Sequence, residues 1–124
     1  MKLVVAMTLS RPIALKGTEY PNRRETITLS SFGTVATHQL ENGLKVLTKE
    51  VHATPIASLY IWYQVGARNE RPGLTGISHW VEHMLFKGTK KFPKETLKRV
   101  IEGNGGKWNG FTSMDYTAYY EVLP

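Results

Sequence analysis

Gly73-Leu74-Thr75-Gly76-Ile77-Ser78-His79-Trp80-Val81-Glu82-His83-Met84-Leu85-Phe86-Lys87-Gly88-Thr89 is the stretch on which both the fold and the chemistry turn. Ile77, Val81, Met84 and Leu85 recur at the spacing of one helix face. Thr75 stands where an N-cap belongs and Gly88 where a C′ glycine belongs. The predicted helix should bury its apolar stripe, with Trp80 and Val81 pointing into the core and fixing it. Upstream, Ile56-Ala57-Ser58-Leu59-Tyr60-Ile61-Trp62-Tyr63-Gln64-Val65 is a long apolar and aromatic run, expected to be a central strand. The loop Gly66–Gly73 joins strand to helix, and Arg68 and Glu70 are expected to pair across it.

Further out, Val35–Leu40 alternates, Asn42-Gly43 is a strong hairpin signal, and Leu44–Lys49 reads as the return strand. Downstream, Pro93 opens a second helix that carries Leu97, Val100 and Ile101 on one face and stops at Gly103. Lys107–Thr112 and Thr117–Val122 then read as two strands around a Ser113-Met114-Asp115 turn. Strands, two helices and strands in that order predict an α+β, two-layer domain with helices on one face of a mostly antiparallel sheet. Residues 1–33, broken by Pro12, Gly17, Pro21 and Gly33, are expected to form an extended leader with one short strand at Glu25–Leu29. Residues 34–124 are expected to form the domain.

Composition narrows the classes. A chain of 124 residues with 41% apolar and 21% charged residues suits one globular domain. The absence of cysteine excludes disulfides and thiolate metal sites, so a metal must be held by His, Asp or Glu. The net charge of +6 comes with no aromatic residues interleaved as a stacking platform, so no nucleic-acid partner is expected. Lys87, Lys90, Lys91, Lys94, Lys98 and Arg99 read instead as a solvated face. No segment reaches the roughly 18 apolar residues of a membrane span, and no membrane partner is expected. Leu3–Leu9 lacks a cleavage pattern, so the expected compartment is cytoplasmic. The five basic and two acidic residues of 1–33 leave a mitochondrial matrix location, and a periplasmic one, as alternatives.

His79-Trp80-Val81-Glu82-His83 carries the chemistry. A helix turns about 100° per residue, which puts the two histidines about 40° apart and one turn apart along the axis. Two imidazoles so placed can share one ion, and Glu82 reaches the same region without having to be a ligand. The motif is H-E-x-x-H with its order inverted. Zinc accepts neutral imidazole, prefers four ligands, and in catalytic sites leaves one position to water. Glu82 is then placed to serve as general base. His38, in a strand, and His52, in the loop before Pro55, lack ligand spacing to the motif and read as structural.

The stretch 73–89 resembles the signature of the insulinase/pitrilysin family of zinc metallopeptidases, M16. Leu40-Glu41-Asn42-Gly43-Leu44-Lys45-Val46 and Val65-Gly66-Ala67-Arg68-Asn69-Glu70 resemble it too, as does the segment Gly105–Tyr120. The resemblance runs from about residue 35 to residue 124. It implies an incomplete N-terminal domain of the inverzincin type, with His79 and His83 as zinc ligands and Glu82 as catalytic base. It implies that Asn109 lies in the strand beside the substrate peptide; many relatives have alanine next, where this chain has Gly110. Lys107–Thr112 would then offer an edge to which a peptide adds as a further strand.

The resemblance further implies a third ligand, a glutamate several tens of residues on, and a second M16-like half or subunit that closes over the peptide. Glu95, Glu102, Asp115 and Glu121 do not have that ligand's position. The chain is therefore expected to be an N-terminal fragment, inactive alone, of a zinc endopeptidase acting on peptide or unfolded polypeptide. The alternative is a non-catalytic M16-like subunit or interaction domain. The intact Glu82 favours the enzyme, because nothing structural requires a carboxylate there.

Overall fold

The computed structural model describes residues 3–9, 25–29 and 33–124. These hold strands β1 (Leu3–Leu9), β2 (Glu25–Leu29), β3 (Gly33–Gln39), β4 (Lys45–Glu50), β5 (Ala57–Tyr63), β6 (Lys107–Thr112) and β7 (Thr117–Leu123). Between β5 and β6 lie a 3-10 turn (Ala67–Asn69) and helices α1 (Ile77–Leu85) and α2 (Lys94–Gly103). All seven strands join one sheet in the order β2-β3-β4-β1-β5-β7-β6. Only β1 with β4 is parallel; every other pairing is antiparallel. The α+β architecture with helices over one face is as the sequence predicts.

The β3–β4 hairpin turns on three residues, Glu41-Asn42-Gly43, not on a two-residue Asn-Gly turn. Leu40 N–H donates to the Leu44 carbonyl at 2.8 Å, and Gly43 N–H to the Leu40 carbonyl at 2.9 Å. Gly43 takes φ 82°, as the last position of such a loop requires. Leu3–Leu9, placed by the sequence within the leader, pairs on one side with β4 (Val5 with Val46) and on the other with β5 (Val5 with Ile61). The short strand Glu25–Leu29 is present and pairs with β3.

The aromatic run in β5 supplies both faces of the sheet. On the face away from the helices, Ala118 is fully buried, flanked in register by Trp62 and Phe111. Those two rings meet edge-on at 5.7 Å, and Tyr116 packs against both. On the helix face, Phe86 at the end of α1 packs on Trp108 and Tyr119. Ile101 of α2 is buried, whereas Val100 is 55% exposed.

The apolar side of α1 departs from expectation. Trp80 and Val81 are 61% and 48% exposed, and Ile77, Met84 and Leu85 are exposed as well. Helical periodicity marks a stripe that should be covered, yet the sheet does not close over it. An open cleft of about 400 Å³ remains between Ile77, Val81 and Leu85 of α1 and Tyr63 and Tyr119 of the sheet, with Val65 of the following loop.

The strand-to-helix loop is anchored by backbone. Ala67 N–H donates to the Ser113 carbonyl at 3.0 Å and Arg68 N–H to the Met114 carbonyl at 2.8 Å. Gly66 makes this approach possible: a Cβ there would lie 2.3 Å from the Ser113 oxygen and 2.7 Å from the Met114 oxygen. Gly103, by contrast, has open space around its α-carbon. Gly66→Ala is therefore expected to destabilise the chain by at least about 2 kcal/mol, and Gly103→Ala to stabilise it by about 0.5 kcal/mol. Denaturant unfolding of the two variants checks the opposite signs.

Candidate active site

Helix α1 starts without a local cap. The expected N-cap, Thr75, lies one residue too early; the cap position falls to Gly76, at φ 88° and with no side chain to offer. Glu70 supplies the missing acceptor from the preceding loop. Its Oε2 accepts from Gly76 N–H at 2.7 Å and its Oε1 from Ser78 N–H at 2.9 Å. Those two amides hold its carboxyl below the ordinary value, Gly76 contributing most and Ser78 next. The expected Arg68–Glu70 pair does not form. Arg68 binds Asp115 in the β6–β7 turn through both its Nε and its Nη2. That pair is well exposed, so solvent screens most of its attraction.

The structure brings His79 and His83 together. Their Nε2 atoms stand 3.0 Å apart, with ring centroids at 4.5 Å, on the exposed side of α1. Either ring can donate the proton of this contact, and a cation that binds both nitrogens displaces it. Two nitrogens at about 2.0–2.1 Å from a tetrahedral zinc lie about 3.3 Å apart, so the rings are within a few tenths of an ångström of that geometry. They fit two of the four positions zinc prefers. Among the described residues no third His, Asp or Glu joins them in a metal-holding group.

Glu82, one residue before His83, is 5% exposed and is the only buried residue of α1. A carboxylate so placed needs a donor. Thr112, at the end of β6, donates its hydroxyl to Glu82 Oε2 at 2.6 Å. Thr117 stands beside Thr112, with its own hydroxyl donating to the Val65 carbonyl at 2.9 Å. Among the described residues Glu82 Oε1 accepts no hydrogen bond. Tyr119, on the neighbouring strand, has its phenol pushed up to about 12 by burial first and then by the charges of Glu82 and Tyr63.

Asn109 and Gly110 lie on β6, the last strand of the sheet. Asn109 is exposed and its Oδ1 accepts from Gly110 N–H at 2.9 Å. Gly110 sits under Phe86 and Tyr119, where a Cβ would come within 3.1 Å of both rings. Neither residue touches the histidine pair. His38 lies in β3 and His52 pairs with Glu50, both away from the site.

Glu70 and Thr112 are the residues that reading the sequence passed over. Thr112 had a usable signal: strict alternation along Lys107–Thr112 puts it on the same face as Trp108 and Gly110, which is the helix face. Glu70 had none, since a carboxylate six residues before a helix start matches no local capping pattern.

Residues 45–123 match the family model described as insulinase, peptidase family M16. An uncharacterized zinc protease of Streptomyces coelicolor is 41% identical over 88 residues, covering 71% of this chain and 19% of that protein. The mitochondrial-processing peptidase subunit beta of Dictyostelium discoideum is 39% identical over 82 residues, 65% of this chain and 17% of that one. Human insulin-degrading enzyme is 40% identical over 83 residues, 66% of this chain and 8% of that one. A protease from Helicobacter pylori has a similar structure, with TM-score 0.63 and 32% identity, covering 82% of this chain and 22% of that one. The chain thus spans about a fifth or less of the curated relatives named here.

Because the folded value of Glu70 is depressed, its contribution is complete above the ordinary carboxyl value of 4.5 and is lost as pH falls through the lower folded value. The amide resonances of Gly76 and Ser78 should therefore titrate together with a midpoint below 4.5. A midpoint at or above that value contradicts the assignment.

Proposed function

The chain belongs to the insulinase family of peptidases, M16, and from that membership we propose that it carries the metal-binding and proton-transfer part of a zinc-dependent endopeptidase. The observation that carries the reading is the histidine pair, 3.0 Å apart at Nε2, with the buried Glu82 next to it in the same helix turn. Zinc is the metal that the donor set and the names of the relatives favour.

His79 and His83 hold the ion through neutral imidazole nitrogen. When bound, zinc supplies two things: it makes water available as hydroxide near neutral pH, and it polarises the scissile carbonyl. Glu82 takes the proton of the attacking water and later delivers it to the departing amine. Thr112 leaves it free to do so, because its hydroxyl engages only Oε2.

The substrate is a peptide or unfolded polypeptide that pairs with β6. Its main chain supplies affinity without demanding a particular sequence. Asn109 and Gly110 line that edge, and for a peptide to bond the Gly110 amide the Asn109 side chain must let go of it. The reading also calls for a third zinc ligand, which no described residue supplies, and for a second M16-like half. Alone, these 124 residues bind zinc weakly and do not cleave peptides.

Four outcomes test the reading. Zinc affinity of the chain, measured by chelator competition, should fall at least about tenfold in His79→Ala and in His83→Ala. In the complete enzyme, Glu82→Gln should lower kcat by at least about 10³ while retaining zinc, as loss of a general base requires. Asn109→Ala in the complete enzyme should raise KM or lower kcat for peptides; unchanged peptide kinetics would remove it from the site. Chelator-sensitive hydrolysis by the purified 124-residue chain would overturn the fragment assignment.

A further inference from the structure

The first turn of α1 bears an unusual burden. Counting from the cap at Gly76, Ser78 is the second helical residue and His79 the third. One histidine of the pair therefore sits in the turn most prone to fraying, and the other sits one turn further on. The 3.0 Å separation of their nitrogens exists only while that first turn is helical.

Local backbone bonds the turn from Ile77 N–H to the Leu74 carbonyl at 3.2 Å, and no local side chain caps it. Gly76 has no side chain, no side-chain cap bond is made from the cap position, and the first turn contains no acidic residue. The apolar residues beside it, Ile77 and Trp80, are 41% and 61% exposed, so packing holds it only loosely. Glu70 supplies the side-chain cap. Ser78 N–H is the amide that a normal N-cap side chain would take, and Glu70 Oε1 takes it. Glu70 Oε2 takes the Gly76 amide as well, and the negative charge lies at the positive end of the helix dipole.

A remote cap works only if its own backbone is fixed, and the loop of Glu70 is pinned. Ala67 and Arg68 donate their amides to Ser113 and Met114, the Arg68 side chain grips Asp115, and Asn69 Oδ1 accepts from Gly66 N–H. Ser113, Met114 and Asp115 directly follow β6, whose last residue, Thr112, holds Glu82. One loop thus ties the helix start to the strand end.

We propose that Glu70 is a positioning residue for the metal pair: a cap supplied from the strand-to-helix loop that keeps His79 in register with His83 and ties both to the end of β6. Its relevance to catalysis rests on the peptidase reading above; its structural action does not.

Backbone amide exchange and zinc competition on the 124-residue chain test this. In Glu70→Ala, the amides of Trp80 to His83 should exchange about tenfold faster, the size of a lost helix cap, while amides of β5 and β7 stay within about twofold. Zinc affinity should fall about threefold, because fewer molecules hold the binding-competent turn. Glu70→Gln keeps one acceptor oxygen for two amides and should fall between Ala and wild type. If the alanine variant does not fold, the glutamine variant carries the comparison. Unchanged exchange in α1, or acceleration spread equally over the sheet, would overturn the proposal. Should His79→Ala leave zinc affinity untouched, the metal reading fails, and the exchange data still judge Glu70 by themselves.

Discussion

A single buried carboxylate fixes the relation between the helix layer and the sheet. Glu82 points from α1 into the space above β6, where little of it reaches water, and the hydroxyl of Thr112 is the group that answers. An unpartnered carboxylate in that position would cost several kcal/mol, and the same carboxylate in water would not need β6 at all. The contact therefore makes helix position and strand position interdependent. Everything chemically interesting on α1 follows from that tie: once Glu82 faces inward, His79 and His83 stand together on the exposed side.

Much of this could be read from residue order. The five-residue motif gave the pairing of the histidines because helical geometry is rigid over a single turn. The second helix, the β3–β4 hairpin and the β6–β7 pair followed from local pattern and turn chemistry. What stayed hidden was non-local. Leu3–Leu9 reads as a short apolar run, and nothing within it tells that it pairs with residues about 40 and 56 positions away. Arg68 and Glu70 have opposite charges two residues apart, yet each found a partner better oriented than the other, one in a turn across the sheet and one at a helix start.

The exposed side of α1 teaches a related lesson. Periodicity marks a face that is better kept from water; it does not say what will cover it. Ile77, Val81 and Leu85 fulfil the helical pattern, and still they border an open cleft with Tyr63 and Tyr119 rather than a packed layer. An amphipathic helix can thus be recognised correctly while its burial is misjudged, because burial depends on the far side of the contact.

The placement of β6 at the rim of the sheet has a different consequence. An open strand edge of the kind proposed to take up a polypeptide is open to a second copy of the chain as well, and two copies meeting there would block one another. Three features discourage such pairing: the strand has only six residues, it starts with Lys107, and the Asn109 side chain occupies the Gly110 amide. The positive charge of the whole chain, +6, adds repulsion between copies. High salt would screen that last safeguard first, so self-association in concentrated, salty solution is the hazard this surface carries.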